Sequence, residues 1–263
     1  MTLWKGLGLM NGRVYKLNLS GCQPPLQGDS VIGPEIGLMA ELERINFNNN
    51  KISGPLPLLE CLGRLTRLRQ LSISNNQISG SLKNISVLKH LTNLELSRNA
   101  ITGPIPPELE SLDQLISLNL SHNKLTGTMP TEMSGLINLR VLNLSYNSLH
   151  GLLKSWIGAL TLLQRIDLGY NQLKGSLPME LTRLDGLEYL HVPHNQLRGG
   201  LPMEVLTCLN VKIREIFLQG NPLYFVAVGT VFAVEMALEN RAMIKKNKYI
   251  LEDQYCFCNV DLF

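Results

Sequence analysis

An α/β solenoid, about nine units of about 24 residues with a parallel sheet on its concave face, is the fold class that this sequence predicts. Three observations predict it. An asparagine recurs at Asn50, Asn76, Asn99, Asn123, Asn147, Asn171, Asn195 and Asn221, in steps of 26, 23, 24, 24, 24, 24 and 26 residues. Upstream of it the same apolar spelling returns, as Leu115, Leu118 and Leu120 before Asn123, Leu139, Leu142 and Leu144 before Asn147, and Leu163, Ile166 and Leu168 before Asn171. Length agrees, since nine such units consume roughly 216 of the 263 residues and leave no room for a second, catalytic domain.

Each unit opens on a short strand. Residues two apart share a face, so Leu118 and Leu120 are expected in the core and Ser117, Asn119 and Ser121 in solvent. The asparagine then turns the chain. Its amide both donates and accepts, so a column of such side chains can satisfy the backbone groups left unpaired in the stacked turns. This L-x-x-L-x-L-x-x-N spelling is that of the leucine-rich repeat, and the predicted architecture is its horseshoe. A second spelling follows the asparagine: Ile52-Ser53-Gly54-Pro55-Leu56-Pro57, Ile101-Thr102-Gly103-Pro104-Ile105-Pro106, Leu125-Thr126-Gly127-Thr128-Met129-Pro130 and Leu173-Lys174-Gly175-Ser176-Leu177-Pro178. It resembles the plant-specific subclass of leucine-rich repeats. That resemblance covers about residues 14 to 223 and implies an extra short strand after each turn. It also implies an extracellular place in receptor-like kinases, receptor-like proteins or inhibitor proteins. Lys83 and Lys154 depart from it where proline is expected, and Cys22 stands where the first asparagine would be. The step from Cys22 to Asn50 is 28 residues, so the first junction is expected to be irregular, with the ladder starting at Asn50.

The two ends differ from the array. Trp4 to Leu7, followed by Gly12 to Leu19, resembles the last part of the family's N-terminal cap, so residues 1–13 are expected to be a cap remnant, without the cap's paired cysteines. The solenoid then runs over 14–223. Residues 1–16 carry no signal peptide, because the apolar run Leu7 to Met10 is too short. These features suggest a fragment of a longer receptor-like protein. Residues 224–263 form an extension beyond Asn221-Pro222-Leu223. A membrane span near residues 222–238 would be short of the roughly 20 residues a helix needs, with Glu235 inside it. The favoured alternative is a strand and then a helix from about Phe232 to Leu251 that closes the open end. Any membrane association would then come through a parent or longer isoform.

Composition and motifs narrow the function by exclusion. The chain has 24 basic and 21 acidic residues. Nucleic-acid binding would call for a basic stripe with interleaved aromatics, which is absent from the strand faces, so no nucleic-acid partner is expected. No nucleophile motif, phosphate loop or zinc signature occurs, so neither an enzyme nor a cofactor is expected. Five cysteines cannot all pair. Cys61 and Cys208 are expected as packed thiols, and Cys256-Phe257-Cys258 lacks the second ligand pair a metal would need. His191 and His194 fall on strand face and turn respectively, too far apart in role to share a metal.

What remains is a surface. One solvent-facing strand column reads Lys16, Arg44, Gln70, Asn93, Ser117, Val141, Arg165, Tyr189 and Glu215. The next reads Asn18, Asn46, Ser72, Glu95, Asn119, Asn143, Asp167, His191 and Phe217. Most positions carry small polar consensus residues. Arg165, Asp167, Tyr189, His191, Glu215 and Phe217 break that pattern with charge and aromatic rings, the types that anchor interfaces. They are the candidate site for a protein or peptide ligand on the concave face, with a co-receptor as a further partner. An intracellular scaffold or inhibitor, or a truncated fragment without function, is the alternative. Of the N-x-S sequons at Asn18, Asn84, Asn119 and Asn143, three are created by the strand consensus, which leaves Asn84 as the candidate glycosylation site.

Overall fold

The computed structural model describes residues 6–28, 34–55, 62–201 and 213–225. Three-residue strands recur once per repeat, at Arg44–Asn46, Gln70–Ser72, Asn93–Glu95, Ser117–Asn119, Val141–Asn143, Arg165–Asp167, Tyr189–His191 and Glu215–Phe217. Together with Arg13–Asn18 they stack in chain order as one parallel sheet. Each turn of the chain lays its strand beside the preceding one because the leucines beneath can be buried only against the neighbouring units. Leu94, Leu118, Leu142 and Ile166, the central residues of successive strands, are fully buried, and so are Leu96, Leu120, Leu144 and Leu168. One continuous core runs from Leu17 to Leu218.

The second strand implied by the L-x-G-x-I-P spelling is present. Lys51–Pro55 pairs in parallel with Gln77–Ser79, Thr102–Pro104 with Lys124–Thr126, and His150–Leu152 with Gln172–Gly175. These short strands build a lateral face beside the concave sheet. The glycine of the motif stands where the chain leaves them in a left-handed conformation: Gly151 has φ of 85°, and a Cβ there would lie 2.8 Å from the Thr128 side chain. The convex side is closed by short 3-10 helices such as Pro107–Ser111, Thr131–Gly135 and Met179–Arg183, and every one places one apolar residue in the core. A 24-residue unit has no length to spare for a longer helix.

The asparagines lock these layers together. Asn123 Nδ2 donates to the carbonyls of Leu96, Leu120 and Ser121 at 3.0, 3.1 and 3.2 Å, while its Oδ1 accepts from the Ile101 amide at 3.0 Å. Asn147, Asn171 and Asn195 repeat the pattern one unit further on each time. The contacts extend to Asn50, Asn76, Asn99 and Asn221. At the first junction Cys22 Sγ donates to the Leu19 carbonyl at 3.2 Å, reproducing one of these bonds but not the others.

The N-terminal segment is a hairpin, in which Leu7–Met10 pairs antiparallel with Arg13–Asn18 through Asn11 and Gly12, both at positive φ. It covers the outer edge of the first parallel strand, where unpaired backbone groups would otherwise be exposed. Ser121, expected in solvent, is 5% exposed, as Ser145 in the next repeat is 4% exposed; the hydroxyls turn back to donate to Asn119 Oδ1 at 2.8 Å and Asn143 Oδ1 at 2.7 Å. Beyond Leu223, the strand Leu223–Phe225 pairs with Gly199–Leu201. The helix expected over Phe232 to Leu251, the span near residues 222–238, Trp4, and Cys61, Cys208, Cys256 and Cys258 lie outside the described residues.

Replacing Asn123 by Ala strips a donor from three carbonyls and an acceptor from one amide in a dry turn. The substitution should lower stability by roughly 1–3 kcal/mol, measured by urea unfolding against Lys124→Ala, an exposed neighbour whose loss should fall within about 0.5 kcal/mol of zero.

Candidate functional site on the concave face

The strand column that carries the candidate site has a structural duty along most of its length. Asn46, Asn119, Asn143 and Asp167 each accept, through Oδ1, the amide of the residue two positions on, at 3.0 to 3.1 Å. This Asx turn starts the bend toward the ladder asparagine. His191 occupies the same column, but two positions on stands Pro193, which has no N–H to be capped. The column is released from its duty there, and His191 and Phe217 can present rings instead.

Parallel register brings the six candidate residues into two adjacent rows. Arg165, Tyr189 and Glu215 align in one, and Asp167, His191 and Phe217 in the other. The Arg165 guanidinium lies 4.1 Å from the centre of the Tyr189 ring. Tyr189 meets His191 edge-on at 6.2 Å, and the imidazole lies 4.3 Å from the Phe217 ring. His191 Nε2 stands 3.3 Å from Glu215 Oε2, within ion-pair distance but too poorly aligned for a hydrogen bond, so the contact is electrostatic. Burial pushes the His191 pKa below the usual histidine value, against the pull of Asp167 and Glu215. At neutral pH the patch therefore holds an uncharged imidazole between two carboxylates, with one guanidinium beside it. Further along the same column, burial raises the Glu95 pKa, opposed by hydrogen bonds from Asn119 and Ser117.

A second aromatic set was not anticipated. His122, Tyr146, Tyr170 and His194, each the residue before a ladder asparagine, stack face to face with ring centres 4.1, 4.1 and 4.5 Å apart. All four have positive φ and each follows a small residue, Ser121, Ser145, Gly169 or Pro193, at the edge of the sheet. Gly220 ends the column, since a Cβ there would lie 2.5 Å from His194 Nδ1. Their spacing of 24 residues was the available signal. As expected, His191 and His194 lie on the strand and in the turn respectively.

Comparison with known proteins agrees with this architecture. A leucine rich repeat family profile matches residues 89–149 and 137–197, and a second matches residues 67–87. The chain is a leucine-rich repeat protein of the plant type. Among solved structures, this leucine-rich repeat chain resembles the plant peptide hormone receptor RGFR1 in complex with RGF2. The two are 31% identical with a TM-score of 0.71, over 76% of this chain and 31% of that one. The ectodomain of the Arabidopsis receptor kinase HAESA, in complex with an extended IDA peptide hormone, matches at 29% identity and a TM-score of 0.77, over 84% of this chain and 37% of that one. A plant ice-binding protein matches at 26% identity and a TM-score of 0.65, over 84% and 77% of the two chains. The chain thus spans about a third of the length of the receptor ectodomains it matches. No curated protein matches it.

Because the folded pKa of His191 lies below the unfolded one, its contribution to stability is present above the ordinary histidine pKa and is lost as pH falls through the folded value. Glu215→Gln removes one of the charges that hold the imidazolium, so the His191 titration followed by NMR should move to still lower pH. A titration that is unchanged or moves upward would show that the carboxylate does not act on the ring.

Proposed function

We propose that this chain is a non-catalytic recognition module of a receptor-like protein, and that it takes a peptide across the last concave repeats described, on Arg165, Asp167, Tyr189, His191, Glu215 and Phe217. The observation that carries this reading is the release of the Asx column at Pro193, where consensus asparagine gives way to a packed set of aromatic and charged groups. Tyr189, His191 and Phe217 are half-buried, which leaves ring surface for an incoming side chain while their own packing holds them in place. Both signs of charge flank the rings, so a peptide with an apolar anchor between polar groups suits the site. The peptide complexes of the RGFR1 and HAESA ectodomains support the same use of this fold. The HAESA complex that includes the co-receptor SERK1 supports a second receptor chain as a further partner.

The cell surface is the location this reading requires. No helix among the described residues is long and apolar enough to cross a membrane. Asn84 sits exposed on the convex side at φ of 66°, just before the 3-10 helix Ile85–Val87, and its side chain makes no capping bond. It is the proposed glycan site. Adsorption to ice, by analogy with the plant ice-binding neighbour, would want a flat array of small hydroxyl residues. On the lateral face Lys124, His150, Lys174 and Arg198 interrupt the Ser and Thr positions.

Selection of a displayed random-peptide library on the secreted chain should yield binders that lose at least about tenfold in affinity, some 1.4 kcal/mol, when Tyr189 and Phe217 are both replaced by Ala. Binders indifferent to that double variant would overturn the assignment of the site. In the same secreted sample, peptide mass spectrometry should find a glycan on Asn84 that Asn84→Gln abolishes without altering the circular dichroism spectrum.

A further inference from the structure

Charge is segregated around the solenoid in a way the concave site does not use. Each repeat contributes eight residues to the edge of the sheet and the lateral face: 48–55, 74–81, 97–104, 121–128, 145–152, 169–176 and 193–200. None of these seven segments contains an aspartate or glutamate, whereas they carry Lys51, Arg98, Lys124, Lys174 and Arg198 and three of the five histidines, His122, His150 and His194. All five cations and His150 are exposed. None of them takes part in the ion pairs of the described residues, which join Arg13 and Arg67 to Glu41, Arg214 to Glu188 and His191 to Glu215. From residue 93 to residue 200 the acidic side chains lie elsewhere: Glu108, Glu110, Glu132 and Glu180 on the convex helices, Asp113, Asp185 and Glu188 in the connections that follow helices, and Glu95 and Asp167 on the concave strands.

The rest of the face is hydrophilic and flat. Gln77, Gln172, Gln196, Thr102, Thr126 and Ser176 supply exposed amides and hydroxyls. Leu152 is the one large aliphatic side chain exposed there among the described residues, while the leucines and isoleucines of these strands point into the core. A protein interface of useful affinity needs buried apolar or aromatic anchors in pockets, and this face has none. Its border is the ring stack His122–Tyr146–Tyr170–His194, whose ring faces are covered by one another and whose edges are left outward. Because neighbouring repeats already pair along the solenoid, the strands of the face have no free ladder to offer an extended peptide. From Lys124 through His150 and Lys174 to Arg198, four consecutive repeats each present a cation or an imidazole; the strand register sets His150 beside Gln172 and Lys174 beside Leu152 and Gln196, so these groups are staggered along the face, with neutral side chains between them.

We propose that the lateral face is a docking surface for a linear acidic polysaccharide, a polyuronate, lying along the solenoid axis with its carboxylates on Lys124, Lys174 and Arg198 and its hydroxyls on the glutamine and threonine side chains. A flexible chain of carboxylates complements cations in three of four successive repeats on a face without acidic side chains, and the neutral polar groups between the cations suit a polymer whose remaining surface is hydroxyl. The site is separate from the concave patch and can be occupied independently of it.

The test is binding of the full chain to polygalacturonate, to its fully methyl-esterified form, to poly-L-glutamate and to single-stranded DNA, by calorimetry at about 0.1 M salt, where exposed charges more than about 10 Å apart are screened. Polygalacturonate should bind with an affinity that falls as salt rises, and the triple variant K124Q/K174Q/R198Q should weaken it at least tenfold with an unchanged circular dichroism spectrum. The methyl ester should not bind, and R69Q/K89Q/R140Q, which removes three exposed cations from other faces, should bind as the native chain does. The proposal is overturned if the lateral triple variant binds normally, if the ester binds as tightly as the acid, or if polyglutamate or DNA matches polygalacturonate.

Discussion

A single amide side chain, repeated at the turns from Asn50 to Asn221 and buried or half-buried in each, is the constraint on which the rest of this structure depends. Once the strand has ended, the chain must reverse out of the sheet, and doing so leaves carbonyls of two successive units and one amide pointing into a space that excludes water. Asn123 reaches all of them at once. Its Nδ2 faces a cluster of carbonyls that no backbone donor can approach, and leaving such groups unpaired when buried would be expensive. Because each asparagine bonds across to the preceding unit, the same contact that satisfies a turn also sets the register between neighbours. The apolar core supplies most of the driving force through its leucines, but a core of leucines alone would permit units to slide. The amide ladder does not.

That constraint propagates outward to the surfaces. To bring the asparagine into position, the residue before it takes a left-handed conformation in repeat after repeat, at Asn49, Asn75, Arg98, His122, Tyr146, Tyr170 and His194. The side chains there are thrown sideways into a common column, so where the residues are aromatic they must stack. Stacking changes local electrostatics: burial, then Arg98, lowers the His122 pKa, while the hydroxyl of Tyr170 foremost raises that of Tyr146. The strand residues before the turn are bound in the same way by the Asx bonds. Where another acceptor takes the amide, as Asn48 does for Ser74 and Ser74 for Ser97, or where Pro193 offers no amide at all, the column is free to vary, and the proposed peptide site sits at the last of these points.

Much of this was legible in the sequence because a repeat states each rule several times over. The leucine pattern and the asparagine step are enough to place nine parallel strands and the two rows of the concave patch, while the lateral strands followed from the resemblance that the L-x-G-x-I-P spelling carries. What escaped was of two kinds. Local signals that occur once were outweighed by the periodic one: Asn11-Gly12 between alternating residues is a hairpin signal, and it went unread, although a hairpin over the first strand is compatible with the cap remnant expected there. Three-dimensional consequences of a repeated conformation were also missed. Ser121 follows Asn119 by two and should by alternation face water, but the strand ends at Asn119 and the turn folds the Ser121 hydroxyl back onto Asn119 Oδ1. Nor does spacing alone reveal that His191 and Glu215 fall at 3.3 Å without the alignment of a hydrogen bond.

Native-state hydrogen exchange on Asn147→Ala tests the claim about the ladder most directly. Asn147 Oδ1 is the acceptor for the Leu125 amide, and its Nδ2 holds the Leu120, Leu144 and Ser145 carbonyls. If the side chain fixes the registry of units, the variant should lose protection at Leu125 and also at the strand amides of the repeats on either side, while the distant repeats around Leu71 and Leu190 keep theirs. Protection lost at Leu125 alone, with Ser117–Asn119 and Val141–Asn143 as slow as in the native chain, would show that leucine packing holds the units together without the amide ladder.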